Sequence, residues 1–231
     1  MKTTGLVGGM SWESSLEYYR LINTGIRERL GGLHSAKILM YSTDFKEIAQ
    51  MQSEARWEQA AELMKSIVNT LKKGGADFVL ICTNTMHFLA DEIEKSTDIP
   101  LLHIADATAG EIKRHGIRKA ALLGTRFTME KDFYRKRLAE KHGIEVIIPE
   151  NDERKIIHDI IYDELCRGIR LETSRDKYRR IISGLADKGV EGVILGCTEI
   201  GLLLREGDTD IPLFDTTVIH AAAAVEYALK H

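Results

Sequence analysis

Short apolar runs alternate with amphipathic segments along the whole chain. Seven runs rich in Val, Ile and Leu have the length of buried strands: 3–9, 36–42, 77–83, 100–104, 119–125, 144–149 and 192–198. Six segments between them place apolar residues at helical spacing: 12–30, 54–74, 105–115, 129–142, 152–167 and 174–188. This alternation predicts an α/β fold with parallel strands flanked by helices. Ligands in such folds bind at the carboxyl ends of the strands.

The chain also contains an internal repeat. LKKGGADFVLICTNT (71–85) aligns without a gap to LADKGVEGVILGCTE (185–199). GLVGGMSWESSLEYYRLI (5–22) matches ALLGTRFTMEKDFYRKRL (121–138) at nearly the same offset, about half the chain. Any two strand–helix units look somewhat alike, and that simpler explanation stays open. The shared offset favours two related halves.

Two related halves predict two pseudo-symmetric lobes, each a parallel sheet flanked by helices, with the active site in the cleft between them. We expect the first lobe to comprise 1–98 and 215–231 and the second lobe to comprise 99–214. A C-terminal helix beginning near residue 217 is expected to return to the first lobe.

The repeat singles out two residues at equivalent strand ends, Thr83 and Cys197. Groups at equivalent positions of two facing lobes approach a ligand from opposite sides. Cys82 is predicted to turn into the apolar layer, because successive side chains of a strand point to opposite faces. Cys166, within the helix-like segment DELCRG, is also expected to be a core residue. The candidate reactive pair is therefore Thr83 and Cys197.

Composition and charge exclude several classes of function. The 32 basic and 35 acidic residues give a net charge of −3 and a pI near 6.3, which offers no basic surface for nucleic acid or an anionic membrane. No apolar stretch has the length of a secretion signal or a membrane span. Three cysteines without a framework spacing predict reduced thiols in a cytoplasmic protein. No CxxC or HExxH pattern is present, so no metal site is predicted.

Four motifs carry a resemblance to a known family. GLVGGMS, TNTMH, GCTE and IPLFDTT resemble, in order and spacing, the cofactor-independent aspartate/glutamate racemase family. The resemblance runs the full length of the chain. It implies a small amino-acid substrate, racemisation at Cα and no cofactor. Members typically carry a cysteine in each half; Cys197 matches the second, and Thr83 replaces the first.

The resemblance is closest to the enterobacterial subgroup that itself carries CTNT and GCTEIG. It implies a Thr83/Cys197 pair acting on L-aspartate or L-glutamate, with Cys197 removing the proton of the L-enantiomer. A thiolate suits the base role where an electropositive or amide-lined surrounding depresses the thiol pKa. A threonine hydroxyl is a poor base near neutral pH but an adequate proton donor to a carbanion. The pair therefore predicts an asymmetric enzyme.

The remaining candidate residues would bind the substrate. Met10 lies in the turn Gly8–Ser11 before a helix whose N-terminal N–H groups favour a carboxylate, and Thr125 follows the equivalent glycine. The other candidates are the α-carboxylate or amino ligands Asn84, Thr85 and Thr198, the side-chain contact Gln52, and Glu199, which would bind the ammonium group or assist proton transfer.

Five further residues lie close to these motifs. For His87 the sequence leaves two roles: tuning the site or ordinary packing. A packing role is also possible for His103 and His220. Asp44 and Asp215 follow strand-like stretches and are expected to cap helices or to support the site through hydrogen bonds.

Three alternatives remain at this stage. The first is a broad-specificity racemase that accepts a neutral analogue such as homoserine, since Arg167 is not clearly placed to read an acidic side chain. The second is another reaction of the same fold: decarboxylation, hydantoin racemisation or maleate isomerisation. The third is a non-catalytic amino-acid-binding protein, which the replacement at Thr83 makes plausible. A homodimer is among the assemblies that the resemblance allows.

Overall fold

The chain folds into two compact α/β units. The computed structural model describes residues 1–205 and 207–230. Unit 1 comprises Met1–Ile104 and the chain from His220 onward, and unit 2 comprises Ala105–Ile219. Each unit is built on one four-stranded sheet whose strand pairs are all parallel. The predicted α/β class, with a parallel sheet and flanking helices in each half, is confirmed.

Unit 1 has the strand order β2-β1-β3-β4. Its strands are β1 (Thr4–Gly8), β2 (Ile38–Ser42), β3 (Phe78–Ile81) and β4 (Leu101–Leu102). The helices between them are α1 (Trp12–Leu30), α2 (Phe45–Ser53), α3 (Trp57–Lys73), a 3₁₀ turn (Thr85–Leu89) and α4 (Ala90–Ser96). Two apolar clusters cover the sheet, and its central strands β1 and β3 are buried throughout.

Unit 2 repeats this order as β6-β5-β7-β8. Its strands are β5 (Lys119–Leu123), β6 (Glu145–Ile147), β7 (Gly192–Leu195) and β8 (Leu213–Asp215). Its helices are α5 (Ile104–Arg114), α6 (Arg126–Glu130), α7 (Asp132–His142), α8 (Asn151–Asp159), a π turn (Ile160–Glu164), a 3₁₀ turn (Leu165–Arg167), α9 (Glu172–Asp187) and α10 (Ile200–Leu203). The last helix, α11 (Thr216–Leu229), follows β8.

The internal repeat is visible in the contacts of its acidic position. Asp77, before β3, accepts a hydrogen bond of 2.6 Å from the backbone N–H of Thr3. Glu191, before β7, accepts from the backbone N–H groups of Arg118 and Lys119 at 2.8 and 2.9 Å. Both carboxylates therefore cap the neighbouring strand of their own sheet, which explains why the repeat keeps an acid there.

Two fully buried tyrosines occupy equivalent positions of the repeat. Tyr18, in α1, hydrogen-bonds to Nδ1 of His220 at 2.8 Å. Tyr134, in α7, donates to the Thr108 hydroxyl at 3.4 Å. His220 belongs to the helix after β8, and Thr108 to the helix after β4. Tyr18 therefore contacts α11, which follows the last strand of the second sheet, and Tyr134 contacts α5, which follows the last strand of the first sheet.

The C-terminal helix packs on unit 1, as predicted. The backbone N–H of Lys2 donates to the carbonyl of Ala228 at 2.9 Å, and Val225 lies against Gly25 of α1. Within the described part of the chain, no helix is long and apolar enough to cross a membrane.

The unit boundaries differ from the predicted ones at 98/99 and 214/215. The run 100–104 was expected in the second lobe, but Leu101 and Leu102 pair with Val79 and Leu80 of β3. Strand β8 ends at Asp215, which pairs with Leu195 of unit 2. Each sheet therefore closes with its own fourth strand before the chain leaves the unit.

Two helical segments also differ from the prediction. Residues 45–53 form α2, so Gln52 lies on a helix and not in a loop. Asp44 caps this helix by accepting from the Lys46 N–H at 3.0 Å, as expected of that aspartate. The predicted helix 152–167 is α-helical only as far as Asp159 and continues as the π turn and the 3₁₀ turn.

We predict that His220 makes the stability of the fold depend on pH. Burial lowers the pKa of His220 from 6.5 to about 4. The unfolded chain therefore binds more protons than the folded chain between these values, so stability is lost as the pH falls from 6.5 towards 4. The contribution is about 3 kcal/mol. Urea unfolding at pH 7 and pH 4.5 measures it.

The matched variants are His220→Gln and His34→Gln, the second at an exposed position. His220→Gln should be less stable at pH 7 and should lose less stability on acidification than the wild type. His34→Gln should keep the wild-type difference between the two pH values. An unchanged difference in His220→Gln would rule out this residue as the source.

Candidate active site

The first half of the candidate site lies just beyond β3. Cys82 is fully buried and packs with Leu6 and Tyr18, whereas Thr83 is half-buried. The strand alternation therefore places the two side chains as predicted. Burial raises the pKa of the Cys82 thiol far above its ordinary value, so this cysteine is an apolar core residue and not a nucleophile.

Asn84 and Thr85 continue directly from Thr83. Thr85 opens the 3₁₀ turn and is half-buried, while Asn84 is only 4% exposed. The Asn84 carbonyl accepts from the backbone N–H of His87 at 3.1 Å, which ties the first turn of this segment together. Both candidate ligands thus follow the strand end in a compact, hydrogen-bonded turn.

The glycine turn after β1 is held by serines. Gly9 has a φ of +88°, and a Cβ at this position would lie 2.3 Å from the Thr43 carbonyl oxygen, so only glycine fits. Its N–H donates to the Ser15 hydroxyl at 2.8 Å. Ser11 caps α1 by accepting from the Ser14 N–H at 3.3 Å. These two N–H groups are therefore satisfied within the chain.

Met10 and Gln52 contact the apolar layer of unit 1. The Met10 side chain is 5% exposed and belongs to the same buried cluster as Ile48 and Met86, so a ligand would meet its backbone. Gln52 projects from α2 and donates from Nε2 to Sδ of Met86 at 3.1 Å. Met86 lies in the 3₁₀ turn after Thr83, so Gln52 is linked to the strand end through that methionine.

The second half of the candidate site lies just beyond β7. Cys197 is half-buried, and its thiol donates to Oε2 of Glu199 at 3.0 Å. Burial raises the pKa of Cys197 well above the ordinary value, and the charge of Glu199 raises it further. An electropositive or amide-lined surrounding would depress this pKa, but the thiol contacts a carboxylate, and only the weaker hydrogen bond from the Glu199 backbone lowers the pKa. The resting state is a thiol with an acceptor already in place.

Thr198 is linked to the start of α11. It accepts a hydrogen bond of 3.2 Å from the Thr217 hydroxyl, and Thr216 donates to the Leu195 carbonyl at 2.8 Å. Asp215 caps the helix by accepting from the Thr217 N–H at 2.9 Å, which confirms the capping role expected of it. The end of β7 is thus fastened to the end of β8.

Thr125 caps α6. Its hydroxyl accepts from the Thr128 N–H at 3.3 Å and lies 3.1 Å from the Thr128 hydroxyl. The next N–H, that of Arg126, is directed at Nδ1 of His158 at 3.4 Å. Thr125 therefore stands at a helix N-terminus, as the repeat indicated, but that helix is only five residues long.

Tyr162 lies in a segment that the sequence interpretation treated as a continuous helix. Partial burial raises the pKa of Tyr162, and the charges of Cys197, Cys166 and Glu199 raise it further. Tyr162 projects from the π turn, and π turns are frequent at functional sites. The sequence carries no spacing signal for such a turn.

Cys166 is exposed, which overturns the expectation of a core residue. It lies in the 3₁₀ turn that follows the π turn, and Leu165 takes the buried position instead. The extra residue of the π turn rotates the following side chains away from the face that a continuous α-helix would bury.

Within residues 1–205 and 207–230, no group of three or more His, Cys, Asp or Glu side chains has an arrangement that could hold a metal ion. The candidate chemical groups are a hydroxyl at Thr83, a thiol at Cys197 and the carboxylate of Glu199. These are proton donors and acceptors, which suits reactions that move a proton.

Comparison with known proteins points in one direction. The Asp/Glu/Hydantoin racemase family model matches residues 7–224. A candidate Asp/Glu racemase of known structure from Yersinia pestis is 57% identical, with a TM-score of 0.95 and both chains covered completely. An aspartate racemase homologue from Pyrococcus horikoshii OT3 is 35% identical, with a TM-score of 0.88 and the same coverage. The broad specificity amino-acid racemase RacX of Bacillus subtilis is 27% identical over 176 residues, 74% of each chain.

We predict that Glu199 controls the reactivity of the Cys197 thiol. Glu199→Gln removes the negative charge that disfavours the thiolate, so the pKa of Cys197 should fall and alkylation by iodoacetamide at pH 8 should become faster. Mass spectrometry of the Cys197 peptide over time gives the rate. The measurement uses a Cys166→Ser background, because Cys166 is exposed and would react in parallel.

Glu140→Gln, an exposed carboxylate on α7, is the matched control and should leave the rate unchanged. A Glu199→Gln protein that is alkylated at the wild-type rate or more slowly would show that the carboxylate does not hold the thiol proton.

Proposed function

The chain belongs to the Asp/Glu/hydantoin racemase family, and we propose that it racemises an acidic amino acid without a cofactor. Its activity is that of an amino-acid racemase. The proposal of an acidic substrate and of two catalytic residues rests on the position of two residues at strand ends. Thr83 and Cys197 occupy equivalent positions of the repeat, each directly beyond a central strand, and they are the groups that we assign to the two faces of the substrate Cα.

Racemisation requires that a proton leave one face of Cα and another arrive on the opposite face. We assign removal to Cys197. Its S–H bond breaks as the proton passes to Glu199, a new O–H bond forms on that carboxylate, and the thiolate then takes the Cα proton. The short contact between the thiol and Oε2 supports this order, since the acceptor is already in hydrogen-bond distance.

Thr83 delivers the second proton. Its hydroxyl donates to the carbanion on the other face of Cα and the resulting alkoxide takes a proton from water; Glu199 then releases the proton it took from Cys197 to the hydroxide that remains, so that the thiol, the hydroxyl and the carboxylate are all restored. A hydroxyl is a weak acid with little tendency to act as a base at neutral pH, so the reverse role is harder for Thr83 than for a cysteine. The proposal therefore includes an intrinsic asymmetry between the two faces.

The remaining candidates would hold the substrate. Asn84 and Thr85, at the start of the 3₁₀ turn, are assigned to the α-carboxylate or the amino group, and Thr125, at the N-terminus of α6, is assigned to the α-carboxylate. Thr198 would contact the α-carboxylate or the amino group. Gln52 is assigned to the substrate side chain, and the turn at Met10 is assigned to the substrate carboxylate.

The alternatives within this proposal differ in the amino-acid side chain that the enzyme would prefer in its substrate. The similarity to RacX supports a broad-specificity racemase that also accepts a neutral analogue such as homoserine, and the similarity to the aspartate racemase homologue supports an acidic substrate. A non-catalytic amino-acid-binding protein would bind a substrate but exchange no Cα proton. Incorporation of deuterium at Cα in D₂O distinguishes catalysis from binding for each candidate amino acid.

We predict that Cys197→Ala abolishes Cα exchange from L-glutamate and L-aspartate in D₂O, followed by NMR in the presence of EDTA. The matched control is Cys82→Ala, which removes a buried thiol from the core and should lower stability while exchange continues. A Cys82→Ala protein without exchange, or a Cys197→Ala protein with wild-type exchange, would contradict the assignment of the base.

We also predict that Thr83 makes exchange faster from the L-enantiomer than from the D-enantiomer. The enantiomers have equal free energy, so kcat/KM must agree in the two directions. The asymmetry appears instead in the wash-in of deuterium relative to net racemisation. Thr83→Cys should make exchange symmetric, and Thr83→Ala should impair racemisation more than L-side exchange. Equally rapid exchange from both enantiomers in the wild type would show that a competent base stands on the Thr83 side.

A further inference from the structure

A buried histidine is hydrogen-bonded to the backbone carbonyl of Thr83. His87 is 2% exposed, and its Nδ1 lies 2.7 Å from the Thr83 carbonyl oxygen. The backbone N–H of Ile104 donates to Nε2 of the same ring at 3.2 Å. Because Nε2 accepts, the ring carries its proton on Nδ1, and that N–H donates to Thr83. One imidazole therefore connects the end of β3 to the start of α5.

The ring of His87 is itself packed between two other imidazoles. His103 lies at a centroid distance of 4.6 Å, and His220 lies edge-on at 5.7 Å. Nε2 of His220 hydrogen-bonds the Leu102 carbonyl at 2.9 Å, and its Nδ1 contacts the Tyr18 hydroxyl at 2.8 Å. His87 thus packs against two rings, one of which, that of His220, is itself held by two hydrogen bonds.

The hydrogen bond from His87 orients both the Thr83 carbonyl and the N–H of the following residue, Asn84. A trans peptide unit is planar, so its C=O and the next N–H point in opposite directions. With the Thr83 carbonyl directed at His87, the Asn84 N–H points away from the imidazole. The preceding peptide is held similarly, because the Ser14 hydroxyl donates to the Cys82 carbonyl at 3.2 Å. Two consecutive peptides at this strand end are fixed by side chains.

The second half of the repeat lacks this device. The position equivalent to His87 is Gly201, and a Cβ there would lie 2.0 Å from Oδ2 of Asp215. Asp215 in turn occupies the position equivalent to His103, since Leu102 and Phe214 pair with equivalent residues of β3 and β7. The imidazole pair of one half is replaced in the other half by a glycine and a carboxylate.

We propose that His87 is a positioning residue for Thr83. By donating to the Thr83 carbonyl it fixes the peptide that carries the hydroxyl and, through the same plane, the direction of the Asn84 N–H. The inference rests on the proposed function of Thr83 as proton donor. A hydroxyl is a weaker proton donor than a thiol, so its reaction depends more on alignment with the substrate, and small displacements of reacting groups are costly.

Two isosteric substitutions separate the two hydrogen bonds of His87. The amide nitrogen of asparagine lies close to the place of Nδ1, so His87→Asn can keep the donor to Thr83 and lose the contact with Ile104. The amide of glutamine reaches the place of Nε2, so His87→Gln can keep the acceptor for the Ile104 N–H and lose the hydrogen bond to the Thr83 carbonyl. Both variants remove the ring, which makes each the packing control of the other. His115→Gln, at an exposed position just after α5, is the surface control.

The expected results differ between the two half-reactions. In His87→Gln, kcat for racemisation should fall roughly ten- to a hundredfold, while Cα exchange from the L-enantiomer, which depends on Cys197, continues. His87→Asn should retain most of the racemisation. A purely structural histidine would instead lower exchange and racemisation together, and by similar factors in both variants, and that outcome would overturn the proposal.

A direct measurement needs no activity. Long-range ¹H–¹⁵N NMR of the wild-type imidazoles should show His87 protonated on Nδ1, and the Thr83 and Asn84 amide signals should shift in His87→Gln more than in His87→Asn. A proton on Nε2 would overturn the proposal, even where a variant fails to fold. A wild type that racemises no amino acid would refute the proposed function, whereas the NMR result would still decide whether His87 holds Thr83.

Discussion

The site depends on peptide groups that a parallel sheet leaves unpaired beyond its last residue. Each strand end must find other partners for its carbonyls and N–H groups, because an unpaired buried peptide group is costly. In unit 1 the partners are Ser14 and His87, which hold the Cys82 and Thr83 carbonyls. In unit 2 Thr216 holds the Leu195 carbonyl. The side chains assigned to chemistry are therefore carried by backbone that neighbouring elements fix, and catalytic geometry follows from satisfying the strand ends.

Electrostatics then make the two halves unequal. Around Cys197 the nearest polar partner is the carboxylate of Glu199, and together with burial it keeps the thiol protonated at rest. The backbone carbonyl of Thr83 is held by the imidazole of His87, and burial lowers the pKa of the adjacent His220 to about 4, so the His220 ring stays uncharged at neutral pH. Cys197 therefore has a carboxylate acceptor within hydrogen-bond distance, whereas the peptide of Thr83 is bound by an imidazole.

The sequence predicts the sheets well and the local chemistry only in part. Buried runs of Val, Ile and Leu mark the strands, and the alternation along β3 separates Cys82 from Thr83. Helix α2 was missed because it is only nine residues long and Ile48 is its one buried residue, so its apolar face is narrow. The exposure of Cys166 depends on a π turn that no spacing announces. The raised pKa of Cys197 depends in part on the Glu199 side chain pointing toward the thiol. The sequence shows only that Glu199 lies two residues after Cys197, and this spacing does not predict the side-chain direction.

The two halves of the repeat share framework contacts and differ in the groups that follow their central strands. Asp77 and Glu191 both cap a neighbouring strand, and Tyr18 and Tyr134 are both fully buried and hydrogen-bonded. Beyond the strands, Thr83 corresponds to Cys197, Thr85 to Glu199 and His87 to Gly201. Similar sheets therefore carry different chemical groups: one strand end has a thiol beside a carboxylate acceptor, and the other has a hydroxyl on a peptide that an imidazole holds.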